Sequence, residues 1–308
     1  MSKKKSILAT ILIAGLTAVM ALALSGCFGG FGGGGNPGGG NPGGVAGDDD
    51  GGLFGNGGVV GDTGDKPDGG GLFGGGKKDD GIYTLIYYEA YEREGTRSIS
   101  WTYDEHGSCL NTTWNEADGT SRTTGNHEFD EYGASTNKVT DYFDRNGNLT
   151  RSRESSDVYT YDAEGRLIQD NEDDGVSTYY EYYPNGVLKM STNSQGYQNG
   201  FDEQGRKNLY DGGFLNRDGR GALTISYGGV KNNEGSFTAS FANGESYAFT
   251  FQTDKNGNIT AVFDPNGNQV IHAEYTYIAD PCSTARTYNY TRNGTFIVID
   301  AVEAYLGV

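Results

Sequence analysis

The chain has 308 residues, of which 52 are glycine and 22 are tyrosine, and its formal net charge is −18 at pH 7. A chain this acidic repels phosphate backbones and anionic lipid headgroups, which argues against a nucleic-acid partner. Aliphatic residues are scarce while tyrosine and phenylalanine are abundant. Any core must therefore be aromatic, and this composition favours strands over helices.

Residues 1–26 have the pattern of a secretory signal peptide. Three lysines at positions 3–5 precede an apolar run over residues 7–24, and Leu-Ser-Gly-Cys then ends at Cys27. This order resembles the lipobox of bacterial lipoproteins, which implies that Cys27 is diacylated and becomes the mature N-terminus. Two acyl chains on one residue suffice for stable anchoring. A plain transmembrane anchor is the alternative, but the apolar run is at the short limit for a span.

The resemblance to lipoproteins also implies a location and a charge for the mature chain. The protein is expected to be attached to a bacterial membrane through its lipid and to face outward. Removal of the three lysines leaves 20 basic and 41 acidic residues, a net charge of about −21. The membrane is therefore a predicted partner through the lipid, and not through basic side chains.

The segment 27–80, which begins with the lipidated cysteine, is predicted to be a disordered tether. Glycine makes up nearly half of residues 28–80. Such a sequence cannot bury enough apolar surface to offset the entropy of the chain. A glycine-rich coil of this length has an r.m.s. span of roughly 40 Å. We expect it to hold the following domain away from the membrane.

From residue 81 onward, a unit of the form aromatic-Asp-x-x-Gly-x-Leu recurs. FDRNGNL at residues 143–149 and YDAEGRL at residues 161–167 match it fully, and YYPNGVL at residues 182–188 and TDKNGNI at residues 253–259 match it in part. Asp followed three residues later by Gly suits a type I turn, in which Gly takes a positive φ. The predicted turn residues are Asp144, Gly147, Asp162, Gly165, Gly186, Asp254 and Gly257.

This turn chemistry predicts the fold of residues 81–269. A type I turn that ends in a left-handed glycine makes a hairpin with a G1 bulge. Segments rich in Tyr, Thr, Val and Phe flank the turns and supply the strands. We therefore predict an all-β fold, an antiparallel meander of repeated hairpins.

Residues 270–308 are predicted to cap the array. Residues 270–278 have a strand pattern, and Asn293-Gly294 is a hairpin signal between two further runs of strand-forming residues. The run 296–299 is the most apolar mature stretch and is predicted to be a buried terminal strand, because end repeats need special cover. One helical turn over residues 301–306 is expected after it.

The recurring unit resembles the YD repeat of RHS-type and teneurin-type proteins. The stretch EYYPNGVLK at residues 181–189 also resembles the MORN-like repeats of some bacterial proteins. The resemblance covers roughly residues 103–270, about half of the chain. In large YD-repeat proteins, many units coil into a hollow β-shell that encloses a cargo. This chain has too few units for a comparable shell and no long segment after the repeats.

The same acidic turns offer a calcium alternative. Asp144, Asn146 and Asn148 place oxygen atoms at alternate positions, as an EF-hand loop does. An EF-hand loop, however, has Gly at position six and a bidentate Glu at position twelve, whereas Gly147 is the fourth residue. In the copy that begins at Asp162, the fifth residue is arginine. We interpret the motif as a turn without a metal, and we expect EDTA to leave the melting temperature unchanged.

The sequence predicts no catalytic residue and no cofactor. His106, His127 and His272 occur singly, and neither an HExxH pattern nor a Gly-x-Ser-x-Gly elbow is present. Paired carboxylates, as glycosidases use, can be imagined anywhere among 41 acidic residues and specify nothing. We expect a protein that is not an enzyme, with an envelope hydrolase as a distant alternative.

Two cysteines remain in the mature chain besides the lipidated one. A disulfide between Cys109 and Cys282 would close a long loop and contribute about 4–5 kcal/mol in the chain-entropy model. The residues also fit two free thiols, because two cysteines at distant positions specify no pairing. Both alternatives stay open on the sequence.

Two classes of function fit a tethered β-array. Tyrosine rings stack on sugar rings while Asn and Asp bind hydroxyls, which favours a polysaccharide or cell-wall ligand. A scaffold that meets an envelope protein is the alternative. Successive residues of a strand face opposite sides, so at most about half of a tyrosine group can be exposed. The predicted ligand-binding residues are Tyr179, Tyr180, Tyr182, Tyr183 and Tyr197.

Overall fold

Seventeen strands and a helical segment occupy residues 81–212 and 219–307, the part of the chain that the computed structural model describes. The predicted signal peptide, Cys27 and the tether lie outside the described residues. The strands are β1 (Ile82–Glu92), β2 (Gly95–Tyr103), β3 (Cys109–Asn115), β4 (Ser121–Phe129), β5 (Ser135–Phe143), β6 (Leu149–Ser156), β7 (Val158–Tyr161), β8 (Leu167–Asn171), β9 (Ser177–Tyr182), β10 (Leu188–Asn193), β11 (Gln198–Phe201), β12 (Lys207–Asp211), β13 (Leu223–Tyr227), β14 (Glu234–Phe241), β15 (Ser246–Thr253), β16 (Ile259–Phe263) and β17 (Gln269–Ile278).

The strands form one antiparallel meander that curls into a nearly closed ring. Consecutive strands pair with each other, except that β6 and β7 are separated by Asp157 alone and pair with β5 and β8 respectively. The first strand also pairs with the last, with Ile82 opposite Ile278 and Ala90 opposite Ile271. The prediction of an all-β antiparallel meander is confirmed.

The turns between strands have the geometry that the repeat predicts. After β5, the Asp144 Oδ1 atom accepts hydrogen bonds from the backbone N–H groups of Asn146 and Asn148, both at 2.9 Å. Gly147 has a φ of +77°, and its N–H donates to the Asp144 carbonyl at 2.9 Å. A register shift between Tyr142 and Phe143 marks the bulge. Positive φ values recur at Gly165, Gly186 and Gly257.

The interior of the ring is packed with aromatic side chains, as the composition predicts. Phe237 and Phe249 stack with ring centroids 4.9 Å apart, and each is at most 1% exposed. Trp101 and Trp114 are also buried. These side chains come from inward-facing positions of the strands, because alternate residues of a strand point to opposite faces.

The C-terminal residues are helical, so the predicted capping hairpin is wrong. The segment comprises α1 (Ser283–Asn293), the π-helical piece π1 (Gly294–Ile299) and α2 (Asp300–Leu306). Gly294 has φ −60° and ψ −42°, which is helical and not a hairpin turn. The predicted strand over residues 270–278 is present as β17. None of these helices, nor any other among the described residues, is long and apolar enough to span a membrane.

The closure of the ring explains the error. Strand β17 pairs with β16 on one side and with β1 on the other, so it offers no free edge to a further strand. A helix forms all its backbone hydrogen bonds within itself and can therefore fill the interior. Phe296, Ile297, Val298 and Ile299 are each at most 3% exposed. The prediction that this run is buried is correct, but its conformation is not.

Candidate functional site

The predicted tyrosine group does not form a single surface. Tyr179 is 47% exposed, whereas Tyr180 is 5% exposed and packs in the core with Tyr288. The other three are half-buried. Tyr182 donates to the Leu167 carbonyl at 2.7 Å, and its hydroxyl lies 2.8 Å from Thr287 Oγ1.

The two remaining members also have structural neighbours. Tyr183 donates to the Phe201 carbonyl at 3.0 Å. Tyr197 lies against Gly212, where a Cβ would be only 2.7 Å from the Cδ1 atom of the ring. Of the five predicted residues, Tyr179 alone is exposed. The group therefore serves mainly the packing of β9, β10 and the turns that follow them.

Cys109 and Cys282 are not joined in a disulfide in the structure. Cys109 is buried, with its Sγ atom 3.4 Å from Thr112 Oγ1. Cys282 precedes α1, and its Sγ atom accepts the Ala285 N–H at 3.4 Å as an N-cap. Burial raises the pKa of the Cys282 thiol. Its role is to begin the helical segment, and the candidate disulfide is not formed.

An outward-facing line of rings lies instead on the two strands that close the ring. We define the outer tyrosine row as Tyr83, Tyr87 and Tyr91 of β1 and Tyr277 of β17. Tyr91 and Tyr277 are 37% and 53% exposed, and the other two are half-buried. Tyr83 and Tyr277 are directly opposite, with ring centroids 5.1 Å apart and planes tilted by 47°. From Tyr83 to Tyr91 the strand rises about 26 Å.

A carboxylate fixes two rings of this row. Tyr87 donates to Glu89 Oε1 at 2.5 Å, and Tyr91 donates to Glu89 Oε2 at 2.8 Å. The bond from Tyr87 holds the pKa of Glu89 below its usual range and raises the pKa of Tyr87 to about 12. At neutral pH, Glu89 is therefore an anion that orients two neutral phenols. Each oxygen keeps capacity for a further donor.

Strand β17 adds polar groups beside the same rings. His272 lies opposite Glu89 in the sheet, and its ring is 6.4 Å from that of Tyr87. The His272 Nε2 atom is 3.3 Å from Glu274 Oε1. Around Tyr87 and Tyr91, the row thus combines ring faces with an imidazole and two carboxylates on the outer surface. Such a surface can stack against flat apolar groups and bind hydroxyl donors at the same time.

The sequence contains a signal for this row that the density of tyrosines obscures. Tyr87 and Tyr91 are four residues apart, and an even spacing places side chains on one face of a strand. Tyr83 lies beyond the register shift between Leu85 and Tyr87, so spacing alone does not assign its face. Adjacent tyrosines, such as Tyr179 and Tyr180, must alternate between the faces. Spacing is therefore a better guide than density. The pairing of β1 with β17, which adds Tyr277, cannot be read from any local pattern.

A second cluster of charged groups is partly buried between α2 and strands β1 and β2. Asp300 Oδ2 accepts from Tyr88 at 2.7 Å and from Arg97 at 2.9 Å, and Arg97 Nε lies 3.0 Å from Glu92 Oε1. Burial raises the pKa of Asp300, and burial together with the charge of Asp300 raises the pKa of Glu303 to about 8. The cluster ties α2 to β1 and β2.

A small cavity lies between α1 and strands β3 to β5. Its volume is about 30 Å³, and its lining includes Ser108, Lys138, Tyr159, Tyr288 and Arg292. That volume corresponds to about one water molecule. The cavity is therefore too small for a sugar or a cofactor, and the outer surface is the better candidate for a ligand.

The acidic turns use their carboxylates for the backbone. In the opening turn of the repeat, Asp144 Oδ1 receives two backbone N–H groups and Oδ2 receives the Asn148 amide at 3.0 Å. Asp254 is bonded in the same way by Asn256 and Asn258. These N–H donors occupy the oxygens that a calcium ion would need. Within residues 81–212 and 219–307, no group of three His, Cys, Asp or Glu side chains is arranged to hold a metal.

Comparisons with known proteins leave the family open. No family model matches the chain, and no curated protein matches it significantly. Solved structures of Tc toxin components align weakly. The crystal structure of TcdB2-TccC3-TEV shares 11% identity at a TM-score of 0.28, over 60% of this chain and 11% of that chain. The Tc holotoxin pore of Photorhabdus luminescens shares 12% at 0.29, over 68% and 15%.

A third solved structure gives the same result. TcdB2-TccC3 without its hypervariable C-terminal region shares 15% identity at a TM-score of 0.28, over 62% of this chain and 11% of that chain. This chain thus spans only about a tenth to a seventh of the length of these proteins. Similarity at this level transfers no function. The class of the protein rests on its own geometry, which is that of an antiparallel β-repeat ring with an internal helical segment.

Proposed function

We propose that this protein is an outward-facing, lipid-anchored surface protein that binds a polysaccharide or cell-wall glycan through the outer tyrosine row. The observation that carries the proposal is the row itself, four rings on two paired strands, two of which are held by Glu89. Tyrosines stack on the apolar faces of sugar rings, and the neighbouring carboxylates accept their hydroxyl groups. An extended line of rings of about 26 Å suits a linear polymer better than a small molecule.

Pre-organisation supports a binding role for the row. Glu89 holds the hydroxyl groups of Tyr87 and Tyr91 at 2.5 and 2.8 Å, so these rings have fewer orientations to lose when a ligand binds. Their backbone belongs to β1, which is paired along both edges. Binding residues on a rigid sheet keep their geometry better than those on loops.

Charge narrows the class of ligand. The mature chain would carry a net charge of about −21, from 20 basic and 41 acidic residues. Glu89 and Glu274 add two carboxylates within the row. A surface of this sign repels anionic polymers. We therefore propose neutral or amino-sugar polysaccharides, and not teichoic-acid-like or uronic-acid-rich polymers.

The test is binding of the full chain, purified in detergent, to an array of neutral, cationic and anionic polysaccharides and cell-wall fractions. For a polysaccharide that binds, we expect Tyr277→Ala and Tyr91→Ala each to weaken affinity about tenfold, the effect of losing roughly 1.4 kcal/mol. Tyr91→Phe should retain more binding than Tyr91→Ala, because it keeps the ring.

The matched control is Tyr179→Ala. Tyr179 is 47% exposed, similar to Tyr277, but it lies on β9 and outside the row. It should bind like the unaltered chain. Equal loss in Tyr179→Ala and Tyr277→Ala, or binding to none of the polysaccharides, would contradict the proposal.

A scaffold role is the second candidate, and one observation favours it. Leu149, the first residue of β6, and Val158, the first residue of β7, are 58% and 66% exposed. Aliphatic groups on an otherwise polar outer surface suit a protein partner. If this function holds, Leu149→Ser with Val158→Ser will abolish co-purification of an envelope protein, while variants of the tyrosine row will not.

A further inference from the structure

Two lysines are fully enclosed in the ring, and their surroundings differ. Lys138 and Lys207 are 2% and 0% exposed. The Lys138 Nζ atom donates to the carboxylate of Asp157 at 2.5 Å. The Lys207 Nζ atom donates to the side-chain amide oxygen of Asn199. One lysine therefore has an anionic partner, and the other has a neutral amide.

The charge state of the two amines follows from these partners. A carboxylate in contact stabilises an enclosed ammonium group, whereas an amide oxygen does so much less. Burial lowers the pKa of Lys207 well below its ordinary value. The lowered pKa favours the neutral amine of Lys207, which has a free electron pair. Such an amine is a nucleophile.

The amine of Lys207 is confined beside the amide. The rings of Phe201 and Tyr210 lie 5.0 and 5.3 Å from Nζ. On the helix side, π1 begins at Gly294, where a Cβ would lie only 3.1 Å from the Lys207 Cδ atom. These walls exclude water and keep the side chain from turning toward solvent. Confinement of two reacting groups replaces a bimolecular encounter.

The pairing of β11 with β12 places Lys207 in the interior and the half-buried Asn199 beside it. Asn199 lies opposite Tyr210, and Phe201 lies opposite Lys207, with a register shift between Gly200 and Phe201. The shift sets Asn199, Lys207 and Tyr210 around one point. The lysine and the amide thus meet across a hairpin and face the same helical segment.

We propose that Lys207 and Asn199 become joined by an intramolecular isopeptide bond in the folded protein. The Nζ electron pair attacks Cγ of Asn199, a C–N bond forms, and the bond from Cγ to Nδ2 breaks. One proton passes from Nζ to the departing nitrogen, which leaves as ammonia. Atoms and charge balance, and nothing is oxidised or reduced. The product is an amide that links β11 to β12.

The experiment is peptide mapping of the full chain, purified from its native host after folding. Trypsin cleaves after Arg206 but not after an acylated lysine. The expected product is a branched species that joins residues 190–206 to residues 207–217 and is lighter by one ammonia than the two peptides together. Fragmentation should place the link at Asn199 and Lys207.

The alternatives are separable in the same map. Asn199 precedes Gly200, and an Asn-Gly pair can lose ammonia by forming a succinimide, but that product remains a linear 190–206 peptide. A linear peptide, with or without ammonia loss, together with cleavage after Lys207, overturns the proposal. Lys207→Met and Asn199→Ala should each remove the branched species.

Lys138→Met is the matched control, because it alters the other enclosed lysine. The branched species should persist in this variant. If Lys138→Met fails to fold, the map of the unaltered chain still decides the proposal, since the presence or absence of the link is read directly.

Discussion

The strand ring and the helical segment inside it owe their conformations to different causes. The hairpins of the ring are specified by their own turn residues. In one of them, Asp254 accepts two backbone N–H groups and Gly257 takes a φ of +86°. The run Phe296–Ile299 has no such local device and consists of residues with modest helix propensity. Burial on all sides makes it helical. Local turn chemistry thus determines the strand ring, whereas burial inside the ring determines the conformation of the helical segment.

The largest expected effect on stability comes from Phe296, at the centre of the helical segment. Phe296 is 3% exposed and lies 5.2 Å from the rings of Tyr88 and Trp101 and 5.7 Å from that of Trp114. Phe296→Ala should lower the free energy of unfolding by about 3–5 kcal/mol, because it leaves a cavity among rings. Urea titration followed by tryptophan fluorescence measures it.

The control for that variant lies on the strand ring. Val158 is 66% exposed, so Val158→Ala should change the free energy of unfolding by no more than about 0.5 kcal/mol. If Phe296→Ala lowers the free energy of unfolding no more than Val158→Ala does, the helical segment does not stabilise the ring. The contrast between the strand ring and the helical segment then fails.

The next largest effect on stability concerns a buried ion pair in the strand ring. Asp157, between β6 and β7, is 3% exposed and holds Lys138. Asp157→Asn keeps the shape but leaves the ammonium without an anion, and should cost about 2–4 kcal/mol. The exposed pair of Arg145 and Asp118, at 3.2 Å, is the comparison. Asp118→Asn should cost at most about 1 kcal/mol.

A pH titration tests the contact between the helical segment and the strand ring. Burial raises the pKa of Glu303 to about 8, so the folded state holds a proton that the unfolded state releases near pH 4.5. Stability from this group is present below pH 4.5 and is lost as the pH rises to 8. Relative to the unaltered chain, Glu303→Gln should gain about 1–3 kcal/mol between pH 5 and pH 8.

The difference between chain and variant is the quantity to measure, by urea titration at both pH values. A buried, unlinked Lys207 would act in the opposite direction, since burial lowers its pKa and the unfolded state binds the proton. Lys207 is the same in both proteins, so its effect cancels. A difference that does not change between pH 5 and pH 8 would show that Glu303 is hydrated.

The smallest effect concerns a single turn. Gly186 has a φ of +85°, and a Cβ placed there would meet nothing within 4 Å. Gly186→Ala should therefore cost about 1 kcal/mol, from backbone conformation alone. A thermal melt measures it, with the exposed substitution Val158→Ala as reference. A loss of several kcal/mol would mean that the turn positions more than its own hairpin.

The predictions from sequence are confirmed where a feature depends on local turn chemistry and fail where it depends on tertiary contacts. The turns at Asp144 and Gly147 were predictable because every hydrogen bond in them joins residues at most four positions apart. The group around Tyr179 was misleading, since neighbouring tyrosines face opposite sides of a strand. The row that includes Tyr277 arises from pairing between the first and last strands. Proximity in sequence carries no information about that pairing.

The antiparallel hairpins, their bulged turns and the aromatic character of the core can all be predicted from the amino-acid sequence. Each of these follows from side chains acting on their own segment of backbone. The tertiary structure decided that β17 would close the ring on β1 and that residues 283–306 would be helical. Because β17 is paired on both edges, it offers no edge to a terminal hairpin, and a helix lets the buried chain satisfy most of its backbone hydrogen bonds within itself.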